Sequence, residues 1–365
     1  MRRIAVLLVA ILLCIGPAVM AQPSPTIAPA TDGIFAAFRT HPLVGLGEWH
    51  GLAQELDFYA TLVRDPRFAR DVGNVVLEMG DAAQQAVVDR YVNGEDMPYA
   101  ELRKVWSDTV GIFPTVEYLG TINLYATIRS VNLSLPPNQR IKVWLGDPPI
   151  NWPDIKTKDD WQVLEDQRDS YPTALIEKEI LGKGKKALVI YGTGHFAVYP
   201  GGISLPSPVV LHRSLNMRAR FDTRHPGALY VISPYMGYTT AACTEKFERH
   251  FPGISAPSLI FPVRGSALER DVVSPGCAPI AKISQVSQED YDIFVPQFAG
   301  LDSHALLYLG PRKSLTEGPR VPDLYLDAAF RAEMDRRLRL RLGSGLKAIP
   351  EPWSYSSIAQ PMFEN

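Results

Sequence analysis

Two histidines and three carboxylates stand where apolar runs of this chain give out. Val44-Gly45-Leu46-Gly47 leads into Glu48-Trp49-His50-Gly51, and Ala187-Leu188-Val189-Ile190-Tyr191 leads into Gly192-Thr193-Gly194-His195-Phe196. Both stretches read as a buried strand followed by Gly-x-x-His. Asn74 to Leu77 ends in Glu78, and Ile141 to Gly146 ends in Asp147. Charged and imidazole side chains are poor core fillers, and glycines let a strand end turn tightly. The set supports three chemistries. His50, His195 and Glu78 can hold a divalent metal that keeps one position for water. Without a metal, Glu48, Glu78 and Asp147 can orient the histidines for general-base activation of water. An imidazole can also ligate haem iron.

Such a site needs parallel strands with their carboxyl ends side by side. The pattern provides them. Leu43 to Gly47 is an expected strand, and Leu52 to Arg64 carries Leu52, Leu56, Tyr59, Leu62 and Val63 on one helical face. Its early Gln54, Glu55 and Asp57 suit a helix start. Asn74 to Gly80 is the next strand, and Asp81 caps a helix over Ala82 to Val92. Helices are expected over Tyr99 to Trp106 and Val116 to Val131, then a strand from Ile141. Trp161 to Ile180 reads as helix, broken at Tyr171-Pro172. A fourth strand, Ala187 to Tyr191, closes the series. Strand and helix alternating at short spacing predict an α/β fold, a mainly parallel central sheet flanked by helices. Past His195 the expected strands are Val209 to Leu211, Ala228 to Ile232 and one near Leu306. Ile254 to Gln285 is loop-rich. Ala328 to Leu342 is an Arg-rich helix whose Arg336, Arg337, Arg339 and Arg341 are expected to meet solvent or acidic side chains.

Each candidate also has a purely structural use. Glu78 can cap a helix or pair with an arginine, Asp147 before Pro148-Pro149 can shape a turn, and Trp49 can fill core. His41, His212, His225 and His250 sit in loops or before prolines, and His304 lies at the start of a strand rather than its end. The chain has no Gly-x-Ser-x-Gly elbow, no His-Glu-x-x-His helix and no Gly-x-Gly-x-x-Gly turn after a strand.

Arg2 and Arg3, an apolar stretch from Ile4 to Gly16 and small residues up to Ala21 form an expected export signal, residues 1–21, cleaved near Ala21. Residues 22–32, rich in Pro, Ser, Thr and Ala, are expected as a disordered leader, and 33–365 as one elaborated domain. Lys and Arg total 37 against 39 Asp and Glu, a net charge of -2, so there is no basic excess for nucleic acid. No later run is long enough to cross a membrane. Export would leave Cys243 and Cys277 as an expected disulfide.

The paired Gly-x-x-His stretches, the strand ending in Glu78 and the segment Gln167-Arg168-Asp169 resemble the superfamily of erythromycin esterases, Tiki/TraB proteins and ChaN-like haem-uptake proteins. Glu48-Trp49-His50 is one residue tighter than the esterase Gly-Glu-x-x-His-Gly turn. Gly47/His50 and Gly192/His195 are similar to the two Tiki/TraB motifs. The resemblance spans Leu43 to Phe196. It implies an α/β fold and either hydrolysis of an ester or amide in a small molecule or peptide, with or without a metal, or haem handling. In the hydrolytic case His50 and His195 activate water, Glu78 is base or metal ligand, Glu48 orients a histidine and Arg168 holds a substrate carboxylate or oxyanion. Trp49, Asp147, Tyr191 and Phe196 would line the substrate. In the haem case His50 or His195 is the ligand, with Trp49, Tyr191 and Phe196 against the macrocycle.

Overall fold

Eight strands make one sheet: β1 (Thr26–Pro29), β2 (Leu43–Glu48), β3 (Asn74–Asp81), β4 (Lys142–Asp147), β5 (Ala187–Gly192), β6 (Leu229–Pro234), β7 (Ser258–Phe261) and β8 (Ala305–Tyr308). In the computed structural model, residues 24–111, 118–197, 216–237, 241–266, 268 and 303–343 are described. The strand order is β1-β7-β8-β6-β2-β5-β3-β4. Pairing from β4 through to β8 is parallel, and only β7 with β8 and β1 with β7 run antiparallel. The expected α/β class with a mainly parallel sheet is what the chain forms.

Strand alternation sorts the core onto two faces. Val44, Leu46, Val75, Leu77, Leu188 and Ile190 enter one cluster, while Leu43, Val76, Ala187, Val189 and Tyr191 enter another. That is why the central strands carry apolar residues at every position rather than every second one. The helix Ala53–Arg64 covers the first face through Leu56, Tyr59, Leu62 and Val63. It lies so close to the helix Leu119–Leu133 that a Cβ on Gly120 would stand 2.5 Å from Leu56 Cβ. The second face is covered by Ser170–Glu179 and Met217–Arg224, through Ile176, Met217 and Phe221.

Three local readings need correcting. Residues expected as a disordered leader include β1, which pairs with β7 from Thr26 opposite Phe261 to Pro29 opposite Ser258. Pro29, with no N–H to give, is tolerated because β1 is an edge strand. The helix break falls at residues 166–169, between Lys158–Glu165 and Ser170–Glu179. Pro172 lies in the first turn of the second helix, where a missing N–H costs nothing. The loop-rich reading of Ile254 to Gln285 overlooked β7, whose four residues are too few to show a pattern. The expected signal (1–21), the strand at Val209 to Leu211 and Cys277 lie outside the described residues. Cys243 is buried in a small aromatic cluster with Phe247 and Phe251. Among the described residues no helix is long and apolar enough to cross a membrane.

Candidate functional site

The strand order decides which side chains meet. β5 lies between β2 and β3, so its terminal Gly192 sits opposite Glu48 on one side and close to Glu78 on the other. The Gly192 N–H donates to Glu78 Oε2 at 2.6 Å. By alternation Glu48 follows Val44 and Leu46 to one face of the sheet, and Glu78 follows Val76 to the other. The two carboxylates therefore flank the end of β5 from opposite faces. Both are 3% exposed.

Past β2 the chain turns back on itself. Gly51 holds φ +88, and a Cβ there would run into the Tyr118 ring. Only glycine suits both demands. The turn brings His50 Nδ1 against Glu48 Oε2. Burial works against the His50 imidazolium, but Glu48 and then Glu78 outweigh it, raising its pKa from 6.5 to about 8. The side chain keeps 38% of its exposure. Among the described residues its Nε2 has no hydrogen-bond partner. A carboxylate on Nδ1 fixes the tautomer that leaves Nε2 as the acceptor.

Glu78 is the hub of a second group. Its Oε1 receives Arg168 Nη2 and lies 3.1 Å from His195 Nε2. Burial resists its ionisation, yet His195 and Arg168 hold its pKa well below the usual carboxylate range. His195 also meets Asp169 Oδ1 at 2.8 Å through Nδ1. Burial disfavours its charge, but Asp169 and Glu78 raise the pKa to about 10. Both ring nitrogens face carboxylates, as an imidazolium requires. Arg168 Nε donates to Asp147 Oδ1 at 3.2 Å, and Asp147 also accepts the Val110 N–H. Burial, partly offset by Arg168 and the Val110 N–H, lifts the Asp147 pKa to about 7. The interruption between two helices supplies Arg168 and Asp169, and the Asp169 carboxylate further accepts the Met217 N–H at 2.8 Å.

His50, His195, Glu48, Glu78, Arg168 and Asp147 thus gather at one edge of the sheet, but their roles separate. Glu78 and His195, expected to activate water, are tied to each other, and further Glu78 to Arg168 and His195 to Asp169. Arg168, expected to meet a substrate anion, is shared among Glu78, Asp147 and Glu165. Tyr191 and Phe196, expected to line a ligand, are 1% and 2% exposed and belong to the core. Phe196 packs where a Cβ on Gly45 would be 2.9 Å from its ring. Trp49 is half-buried, and its N–H donates to Glu55 Oε2 at 2.9 Å. Arg341 departs from the expectation for its helix: it reaches the Gly111 carbonyl, beside the Arg168 guanidinium. Arg336, Arg337 and Arg339 do pair with Glu333 and Asp335.

The expected ligand set His50, His195 and Glu78 does not fit a metal. His195 presents N–H groups to two carboxylates rather than a lone pair, and Glu78 is saturated by donors. Among the described residues no group of three or more His, Cys, Asp or Glu side chains is disposed to hold a metal ion. Haem finds one available nitrogen, His50 Nε2, beside Trp49, but loses Tyr191 and Phe196 as walls. A cavity of about 930 Å³, bordered by Lys104, Lys156, Lys158 and Arg336, shares no residue with this site.

No family model and no curated protein match the chain. Solved structures resemble parts of it. A succinoglycan biosynthesis protein is 12% identical over 59% of this chain and 73% of its own, with a TM-score of 0.40. A Bacillus cereus protein is 13% identical over the same shares, at 0.39. ChaN of Campylobacter jejuni, solved with cofacially bound haem, is 11% identical over 58% of this chain and 91% of its own, at 0.35.

Proposed function

We propose that this chain is a hydrolase of esters or amides in which the Glu48–His50 pair is the proton-transfer group. The observation that carries the reading is the His50 ring: Nδ1 against a buried carboxylate, Nε2 uncommitted and within reach of solvent. Neutral His50 takes a proton from water through Nε2 as the water attacks the carbonyl carbon. Glu48 keeps the other proton on Nδ1 and stabilises the imidazolium that forms. His50 then returns its proton to the departing oxygen or nitrogen. Glu78, Arg168, His195 and Asp169 form the charged floor beneath the pair, with Asp147 behind Arg168, and none of them exchanges a proton in the cycle. A base with a pKa of about 8 is half in its working form near that pH. We further propose, on residues 1–21 alone, that the protein works outside the cytoplasm, which cell fractionation would check.

The test is a panel of ester and amide substrates with wild type, His50→Gln and Glu48→Gln. Turnover should rise with pH through about 8 and fall at least about a hundredfold in His50→Gln, the lower range for a lost general base. Turnover indifferent to His50 would remove the hydrolase reading. The available imidazole favours one competitor, haem ligation. A Soret band on haem titration that disappears in His50→Ala, with no hydrolysis, would put a haem protein in its place.

A further inference from the structure

Glu55 is a buried acid with no cation beside it among the described residues. It lies in the first turn of the helix Ala53–Arg64 and is 1% exposed. Its Oε2 accepts the Trp49 N–H at 2.9 Å, the amide that joins Glu48 to Trp49. Its Oε1 is buried on the side of the Tyr59 hydroxyl, one turn along the same helix, and neither atom has any other partner among the described residues. Among the described residues Glu55 makes no ion pair. The groups facing it are the carboxylate of Glu48, the Trp49 N–H and Tyr59.

Two buried carboxylates that face each other cannot both be charged cheaply. Glu48 has His50 as a partner, whereas Glu55 faces only neutral groups, the Trp49 amide and the Tyr59 hydroxyl. An isolated buried carboxylate takes up a proton rather than bear the desolvation cost. Burial and then the charge of Glu48 push the Glu55 pKa well up, against the Trp49 N–H. A helix start is an ordinary place for glutamate, but its ordinary use there is exposed and ionised.

We propose that Glu55 is a positioning residue of the Glu48–His50 pair: as an uncharged carboxylic acid it clamps the Trp49 amide and adds no second negative charge behind Glu48. The clamp holds the turn from which both Glu48 and His50 project. The missing charge matters equally. A charged Glu55 would hold the proton on His50 more firmly and reduce the base form near neutral pH. The proposal rests on the reading of His50 as the working base, but its test does not require turnover.

The His50 imidazole is followed by NMR across the pH range in wild type, Glu55→Gln and Glu55→Ala. Glutamine keeps the acceptor for Trp49 and carries no charge. The expected result is an unchanged His50 midpoint in Glu55→Gln and a protonated-carboxyl band in the infrared difference spectrum of wild type minus Glu55→Gln. Removing an ionised neighbour would instead lower the midpoint, and that fall, or the absence of the carboxyl band, would overturn the proposal. Glu55→Ala should broaden or shift the His50 signals, with Glu55→Gln restoring them. If the two variants behave alike, the clamp has no role. A loss of hydrolysis in His50→Gln is read separately, so neither result can be mistaken for the other.

Discussion

Gly192 lies so close to His50 that a Cβ on the glycine would stand 3.2 Å from His50 Cε1 and equally near Glu78 Oε2. The residue joins the two halves of the site: its N–H holds Glu78, and its bare Cα gives His50 room. Gly192→Ala should move the imidazole by a few tenths of an ångström. We expect a fall in turnover of at least about tenfold at a stability cost of about 1–3 kcal/mol, the usual range for an added buried methyl. Kinetics together with urea unfolding would separate the two effects, and unchanged kinetics would argue against a working His50.

Arg168 is the cation on which two almost inaccessible carboxylates depend, with Glu78 at 3% and Asp147 at 1% side-chain exposure. Arg168→Ala should destabilise by about 3–5 kcal/mol, because it leaves buried charge uncompensated. Arg168→Lys should recover only part, since one ammonium cannot reproduce a fork shared by Glu78 and Asp147. Equilibrium unfolding of both variants tests this. Equal stability of Arg168→Lys and wild type would contradict the bridging role.

His195 should remain an imidazolium throughout the neutral range. Nitrogen NMR should show both ring nitrogens protonated at neutral pH, with a midpoint near 10. Glu78→Gln should lower that midpoint by removing one of its two carboxylate partners. A wild-type midpoint below 7 would show that His195 is free to act as a base, contrary to the separation of roles.

Stability should fall on the alkaline side of neutrality. The folded pKa of His195 is raised from 6.5 to about 10, so its contribution is complete below 6.5 and is lost as pH rises through about 10. Asp147 acts in the same sense at lower pH: raised from 3.8 to about 7, its contribution is lost between those values. Glu78 acts oppositely. Its folded pKa is depressed below 4.5, so its stabilisation is present above 4.5 and lost as acid protonates it. Urea midpoints measured on both sides of this range should decline toward alkali, and more gently in Glu78→Gln.

Much of this was legible in the sequence because buried parallel strands are continuous apolar runs. Where such a run stops at Glu48 or Asp147, the carboxylate marks the strand end, as Gly192 does for β5, whereas β3 runs three residues past Glu78 to Asp81. The sequence could not tell that β5 inserts between β2 and β3, which depends on pairing across more than a hundred residues. The division of labour was hidden as well, since His50 and His195 have the same local spelling and differ only in which carboxylates the tertiary fold brings to them. Glu55 passed as an unremarkable helix-start acid. Asp169 was visible only through family resemblance, Val110 and Gly111 reach the site from a segment with no pattern of its own, and Arg341 comes from a helix whose arginines were expected to meet solvent or acidic side chains. Pro172 misled in the other direction, because a proline breaks a helix only beyond its first turn.

The place of β5 in the sheet has a temporal consequence. Parallel pairing between distant segments forms slowly, since chain must be looped before contacts repay it. Glu48 and Glu78 are made early in the chain, yet the glycine that stands between them arrives on the last of the four strands that build the site. A nascent chain that has emerged only as far as β4 has Glu48, Glu78, Asp147 and His50 but lacks Arg168, Asp169 and His195, which complete the floor. The same architecture would keep an unfinished molecule silent until its middle strand has closed the gap.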